Sequence, residues 1–499
     1  MNKSIITLLA LTSISTSLFA RVEWSTANTT DVVSSDISDG WVVLDTNATN
    51  TTSNNIHVSV WENVNVNATS TLKIMGDDSS MTFLGNNKIT AGGLYVQYHG
   101  KAYFNNSTVE ASTLSIHQAK SLVSFNGGTA TFDKVSQMDN NGATVILDNG
   151  ASLKTGSFGG TGASASPTTS MLILKNKSSF ETATTNYGKF NTGIYLEGGS
   201  SFKTTEDGID GAISLIGANI TVDSGSSMDV GGYIKLSGKY SAYNGTQYYP
   251  CTFTIGANST VKTGNYIQIA DNASLVLNMS GANQIDSDVT IETGGVFNIY
   301  ATSALTSGQS YDVLTGTLSN NGTINVYGGT LNGKVFTVSE SKQIEAGVEV
   351  PTVVENNGIV EITTNENTSV SMAFNADSAT VNKVVENTVD LVSAVGSDFV
   401  KMGAYEFDVE IEEGDTVVLS FYVGDSSLKT SDFSIFHKSE GGQWSKADDV
   451  SGISYDGEFL SFVVSHFSSY GYTAVPEPST YAIIFGALAL SFVIYRRRK

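Results

Sequence analysis

A short phrase recurs through most of this 499-residue chain: one or two Gly or Asn, then Ala, Ser or Thr, then a single large apolar residue that opens an alternating stretch. It reads Asn149-Gly150-Ala151-Ser152-Leu153, Asn176-Lys177-Ser178-Ser179-Phe180, Gly198-Gly199-Ser200-Ser201-Phe202 and Ser224-Gly225-Ser226-Ser227-Met228, then Asn258-Ser259-Thr260-Val261, Asp271-Asn272-Ala273-Ser274-Leu275 and Gly294-Gly295-Val296-Phe297. The apolar landmarks fall at 153, 180, 202, 228, 261, 275 and 297, so the steps are 27, 22, 26, 33, 14 and 22, with a mean of 24. Gly and Asn tolerate left-handed backbone, and the short hydroxyl residues bond locally, so each phrase is a corner followed by a strand. One such unit cannot bury its apolar face alone. Neighbouring copies must stack.

That reading predicts an all-β chain. Its body is a right-handed parallel β-helix of roughly a dozen coils over residues 21–365. A series of antiparallel β-sandwiches remains the competing architecture, because the steps are irregular. Proline is confined to Pro167, Pro250 and Pro351 in this stretch, as continuous ladders require. Weaker copies of the phrase at Gly328-Gly329-Thr330-Leu331 and Asn357-Gly358-Ile359-Val360 extend the solenoid to its expected end.

Charge and cysteine content narrow the function. Lys and Arg total 26 against 48 Asp and Glu, a net of −22, which makes nucleic acid an improbable partner. Cys251 is the only cysteine, so no intramolecular disulfide forms; it sits in an alternating strand, Pro250-Cys251-Thr252-Phe253-Thr254-Ile255, and is expected to be buried. Residues 1–20 carry Lys3, an apolar region and Ser17-Leu18-Phe19-Ala20, the pattern of a secretory signal peptide.

Texture changes after residue 365. Val381, Val384, Val385, Thr388, Val389, Val392 and Val395 fall at helical spacing, predicting an amphipathic helix over 379–394 within a 366–399 linker, placed over the open end of the solenoid. Over 400–474, short alternating runs separated by Glu413-Gly414-Asp415, Glu440-Gly441-Gly442 and Asp456-Gly457 predict a compact antiparallel β-sandwich with Trp444 and Phe462 in its core.

The last 25 residues combine three features. Pro476-Glu477-Pro478 is extended by its prolines, an uncharged apolar segment spans 481–495, and Arg496, Arg497, Arg498 and Lys499 close the chain. A C-terminal membrane helix is therefore expected, with its basic cluster on the cytoplasmic side. Fifteen residues make about 22 Å of helix, short against a hydrocarbon core of about 30 Å, which fits a transient anchor.

This three-part order resembles the PEP-CTERM sorting signal of Gram-negative bacteria. The resemblance implies an exosortase-type processing enzyme as partner, transient residence in the inner membrane, and delivery to the cell surface or extracellular matrix. It carries no implication about what the body does.

Catalytic patterns are absent from the sequence: the five histidines hold no metal-ligand spacing, and no P-loop or nucleophile elbow occurs. Two acidic groups, Glu206-Asp207-Gly208-Ile209-Asp210 and Glu410, Glu412, Glu413 and Asp415, read as solvated turns; calcium is the one ion their carboxylates would suit, though neither follows an EF-hand. No cofactor is expected. The sequence predicts a non-enzymatic exported protein with a structural or adhesive role, its Asn, Thr and Ser ladders facing extracellular polysaccharide. The alternative is a polysaccharide-degrading or polysaccharide-binding β-helix.

Overall fold

The computed structural model describes residues 21–24, 30–44 and 56–475, apart from 77–78, 118–119, 137–141, 160–169, 186–191, 224, 243–244, 303, 350, 365–366, 440 and 449. The tail motif Pro476–Pro478, the segment 481–495 and Arg496–Lys499 therefore lie outside the described residues, as does the signal peptide. Among the described residues, no helix is long and apolar enough to cross a membrane.

The body is a parallel β-solenoid of about 12 turns whose strands form one 24-stranded parallel sheet. Three columns of in-register pairs run its length, so each coil has three faces. The first carries 101–104, 122–125, 144–147 and 171–174; the second carries 129–132, 152–155, 179–182 and 201–204; the third carries 93–96, 113–116, 213–216 and 234–237. Strict alternation makes this work. In Ser227–Ser237 every second residue is buried from end to end, so one row of side chains fills the interior while the other meets solvent.

Corners need backbone that turns without side-chain clash. Asn149, Asn176, Lys177, Asn258, Asp271 and Asn272 all take positive φ there, between 46° and 67°. Gly128 combines positive φ with close backbone: at φ +78° its absent Cβ would sit 2.2 Å from the Ser107 carbonyl oxygen of the preceding coil. The first hydroxyl residue of the phrase then points inward. Ser178, Ser200, Ser226 and Ser259 are buried one above another, and the Ser178 and Ser200 amides donate to the hydroxyls of Ser200 and Ser226 at 3.2 and 3.1 Å. The interior is in vertical register too: Phe83, Phe104 and Phe125 stack with ring centroids 4.7 and 5.0 Å apart.

The irregular steps now have a cause. Leu153, Phe180, Phe202, Met228 and Val261 are consecutive rungs of the second face, whereas Leu275 and Phe297 belong to the first. The step of 14 is a change of face within the solenoid, from Val261 on the second face, past the third at 267–270, to Leu275 on the first face of the following coil. Measured along one face, Phe253 pairs with Leu275 and Val261 with Ile285.

The solenoid's sheet ends earlier than residue 365. The final rungs are Leu318–Asn320 and Thr323–Tyr327. A three-stranded antiparallel sheet of Ser310–Asp312, Gly329–Asn332 and Val335–Val338 then closes that end, with Phe336 and Val338 in the solenoid core. The sandwich begins at Ser341–Glu345 and holds two six-stranded sheets around a second core. Ile359–Thr364 read as a solenoid rung because a turn before a strand looks the same whichever sheet receives it. In the structure it belongs to a sandwich sheet, paired parallel with Ser341–Glu345 on one side and antiparallel with Asn367–Asn375 on the other.

The expected helix over 379–394 is corrected in its first half. Ser378–Glu386 is a strand of the sandwich, and only Thr388–Val395 is helical. Val381 and Val384, three apart, are both buried because a bulge between Val381 and Lys383 inserts one extra residue into the strand. That bulge imitates helical spacing. The helix packs its one buried residue, Leu391, against Gly471 in the sandwich, so it does not cover the solenoid.

Candidate functional surfaces

One residue beyond each first-face strand, a polar column runs down a corner of the rod: Asn105, Asn126, Asp148, Lys175, Glu197, Asp223, Gly256, Asn278, Tyr300 and Tyr327. Its upper part is self-satisfied: the Asn126 amide donates to Asn105 at 3.3 Å, Asn149 donates to Asn126 at 2.5 Å, and Asn176 donates to Asp148 at 2.6 Å. From Glu197 onward the column is buried, because the sandwich lies on it.

This seam has a charged half and an apolar half. Glu197 is wholly buried and held by Lys175 at 3.6 Å and by Lys429 of the sandwich at 3.5 Å, while the Tyr195 hydroxyl donates to it at 2.9 Å. Thr430 donates to Asp223. Further along, Tyr300 and Tyr327 meet edge to face at 4.6 Å and pack with Val276 against Ala373, Val418 and Val463. The Tyr327 hydroxyl lies 2.8 Å from that of Thr416, and burial pushes both tyrosine hydroxyls above their ordinary pKa. The sandwich is therefore docked along the flank of the rod, and its last strand delivers the chain there too: the Val475 amide donates to the Asp432 carbonyl at 2.9 Å, two residues from Thr430.

The described residues of the sandwich form a groove of about 490 Å³, lined by Phe407, Phe467, Glu406, Asp408, Lys438 and Ser468 among others. It opens where Lys401–Glu410 outruns its neighbour Ser469–Ala474, which begins opposite Glu406. Beside it His437 stacks on Tyr470 at 4.8 Å and faces His466 at 5.1 Å, with the Ser468 hydroxyl 2.6 Å from His437 Nε2. Lys438 is engaged: Asp390 accepts from it at 2.5 Å and from the Trp444 indole at 3.0 Å, and these bonds hold the Asp390 carboxyl below its usual range. Trp444, expected in the core, is half-buried at this rim, whereas Phe462 is fully buried.

The residues singled out in the sequence are scattered. Glu206, Asp207 and Asp210 lie on an exposed excursion of the strand Ser201–Ile216, pinned at its base by Thr204, whose hydroxyl donates to the Gly211 carbonyl at 2.7 Å. Glu410, Glu412, Glu413 and Asp415 surround a solvated turn in which the Glu412 amide donates to Asp415 at 3.3 Å. Among the described residues, no three His, Cys, Asp or Glu side chains gather as a metal-binding group. Cys251 is buried in the strand Cys251–Ile255, and that burial pushes its thiol up to about 11. Glu197, Asp223 and Lys429 were not foreseen; for Glu197 and Asp223 the signal was a charged residue directly after an apolar alternating run, where other coils carry Asn, and Lys429 had none.

Fold and surfaces together define an all-β protein built as a parallel solenoid with an antiparallel sandwich fastened to its flank. Comparison with protein families, curated proteins and solved structures found no match to this chain.

Proposed function

We propose that this is a non-enzymatic exported protein of the cell surface or extracellular matrix, carried there by its PEP-CTERM-like tail and acting as a structural or adhesive rod. The observation that carries this reading is the seam: solenoid and sandwich are joined through a buried ion cluster and an apolar patch, which makes one stiff body. Stiffness suits a spacer or scaffold, and solvent-facing Ser, Thr and Asn rows suit weak, repeated contacts. Right-handed coiling is the expected hand for parallel crossovers. The segment 481–495 is read as a transient membrane helix ending at Arg496, Arg497, Arg498 and Lys499.

Intact mass spectrometry tests the sorting half. Protein recovered from its native surface and medium is compared with the same chain made in a host lacking exosortase. Loss of Arg496–Lys499 in the native form alone, with a new end near Pro476–Thr480, supports sorting. Retention of Lys499 in both withdraws it.

A second reading, polysaccharide binding, is favoured by the sandwich groove, whose carboxylates and hydroxyls beside the half-buried Phe467 ring suit a sugar's hydroxyls and C–H face. Titration of neutral oligosaccharides against the Phe467→Ala variant tests it. Equal heats for variant and parent would sink that reading.

A further inference from the structure

On the outside of the second face, six residues stand directly above one another, one per coil: Lys154, Glu181, Lys203, Asp229, Lys262 and Asp286. Their charges alternate without a break. Within the chain they close three ion pairs, Lys154–Glu181 at 2.8 Å, Lys203–Asp229 at 3.7 Å and Lys262–Asp286 at 3.5 Å, and each of the six side chains is at least 40% exposed. A parallel row of hydroxyls, Ser152, Ser179, Ser201, Ser227 and Thr260, runs beside them.

Such a column has a symmetry property. Read from one end it runs plus, minus, plus, minus, plus, minus; read from the other, every sign is inverted. A second copy turned end for end and laid face to face therefore meets it with opposite charge at all six rungs. Lys154 meets Asp286 of the partner, Glu181 meets Lys262, and Lys203 meets Asp229. A copy running in the same direction sets each residue against itself, six like-charge contacts. The column is also neutral in a chain of net charge −22, so it is a line along which two copies approach without the repulsion felt elsewhere.

We infer that the second face is a self-association surface that pairs two copies antiparallel, about a two-fold axis passing between the coils of Lys203 and Asp229. Exposed charges supply orientation and partner choice more than affinity. Five coil steps span about 24 Å, which places the contact in the weak and salt-sensitive class.

Sedimentation velocity of the full chain in detergent is the first readout, with dimer expected at an ionic strength of about 10 mM and lost at about 0.5 M. The decisive arm uses two single variants, Lys203→Glu and Asp229→Lys, each folded by circular dichroism. Alone, each sets like charges together at the two-fold axis and sediments as monomer. Mixed one to one, they pair, because the new glutamate of one chain meets the new lysine of the other while Asp229 meets Lys203. A role confined to holding coils in register within one chain gives no such rescue between chains. Orientation is read separately with Ser179→Cys and Thr260→Cys chains and a short bismaleimide: the antiparallel pair gives the mixed cross-link and little Ser179→Cys self-cross-link. A parent chain that stays monomeric at low salt, a mixture that fails to pair, or dominant self-cross-linking each overturns the inference.

Discussion

Replacing Lys429 by Met tests whether the seam is held by charge. Lys429 Nζ lies 3.5 Å from Glu197 Oε1, and Lys175 Nζ lies 3.6 Å from the same oxygen. At an effective dielectric of about 20, each contact has a gross Coulomb term of about 4.7 kcal/mol. Desolvation of the wholly buried Glu197 offsets much of that. Stripping a buried charge of its only partner costs about 3–5 kcal/mol, and here Lys175 remains, so Lys429→Met is expected to destabilise by about 2 kcal/mol. The assay is urea unfolding of the parent, Lys429→Met, Glu197→Gln and the double variant, with small-angle scattering to report whether the sandwich leaves the rod. A coupling energy near 1.5 kcal/mol is expected from the cycle. Coupling below about 0.5 kcal/mol would refute the reasoning and assign the seam to its tyrosines alone.

Four further outcomes are expected. Phe104→Ala removes the middle ring of the buried stack and should lower stability by about 4 kcal/mol, read from urea midpoints. Gly128→Ala forces a Cβ into the Ser107 carbonyl at positive φ and should cost about 3 kcal/mol in the same assay. Carboxyl NMR should place the Asp390 midpoint below 3.8, so its contribution to stability is complete above that value and fades as pH falls through the lower folded midpoint; Lys438→Met should move the midpoint upward. Cys251, raised from 9.0 to about 11, should alkylate about a hundredfold more slowly in the native protein than in the unfolded chain at pH 8. Its contribution to stability is present below pH 9 and is lost as pH rises toward 11.

Much of the fold was legible because the solenoid writes the same local instruction many times. Ser178, Ser200 and Ser226 each follow a corner and precede an apolar rung, and repetition averages out any single misreading. The sandwich boundary was not legible, because Asn357-Gly358-Ile359-Val360 specifies a turn and a strand but not which sheet the strand joins. Val381 and Val384 misled for a related reason: a bulge depends on the partner strand Lys401–Glu410, which lies outside any local window. Least visible was the seam. Glu197 and Lys429 are more than two hundred residues apart, and only docking of the two units shows that one needs the other.

The bond from the Val475 amide to the Asp432 carbonyl has a geometric consequence for tethering. Val475, the last described residue, lies beside Thr430 and Asp223, partway along the rod and not at a tip. A leash attached there acts like the balance point of a beam. Held to a surface by the residues beyond 475, the rod would lie with its long axis along that surface, covering area instead of reaching outward, and both ends would stay clear of the attachment.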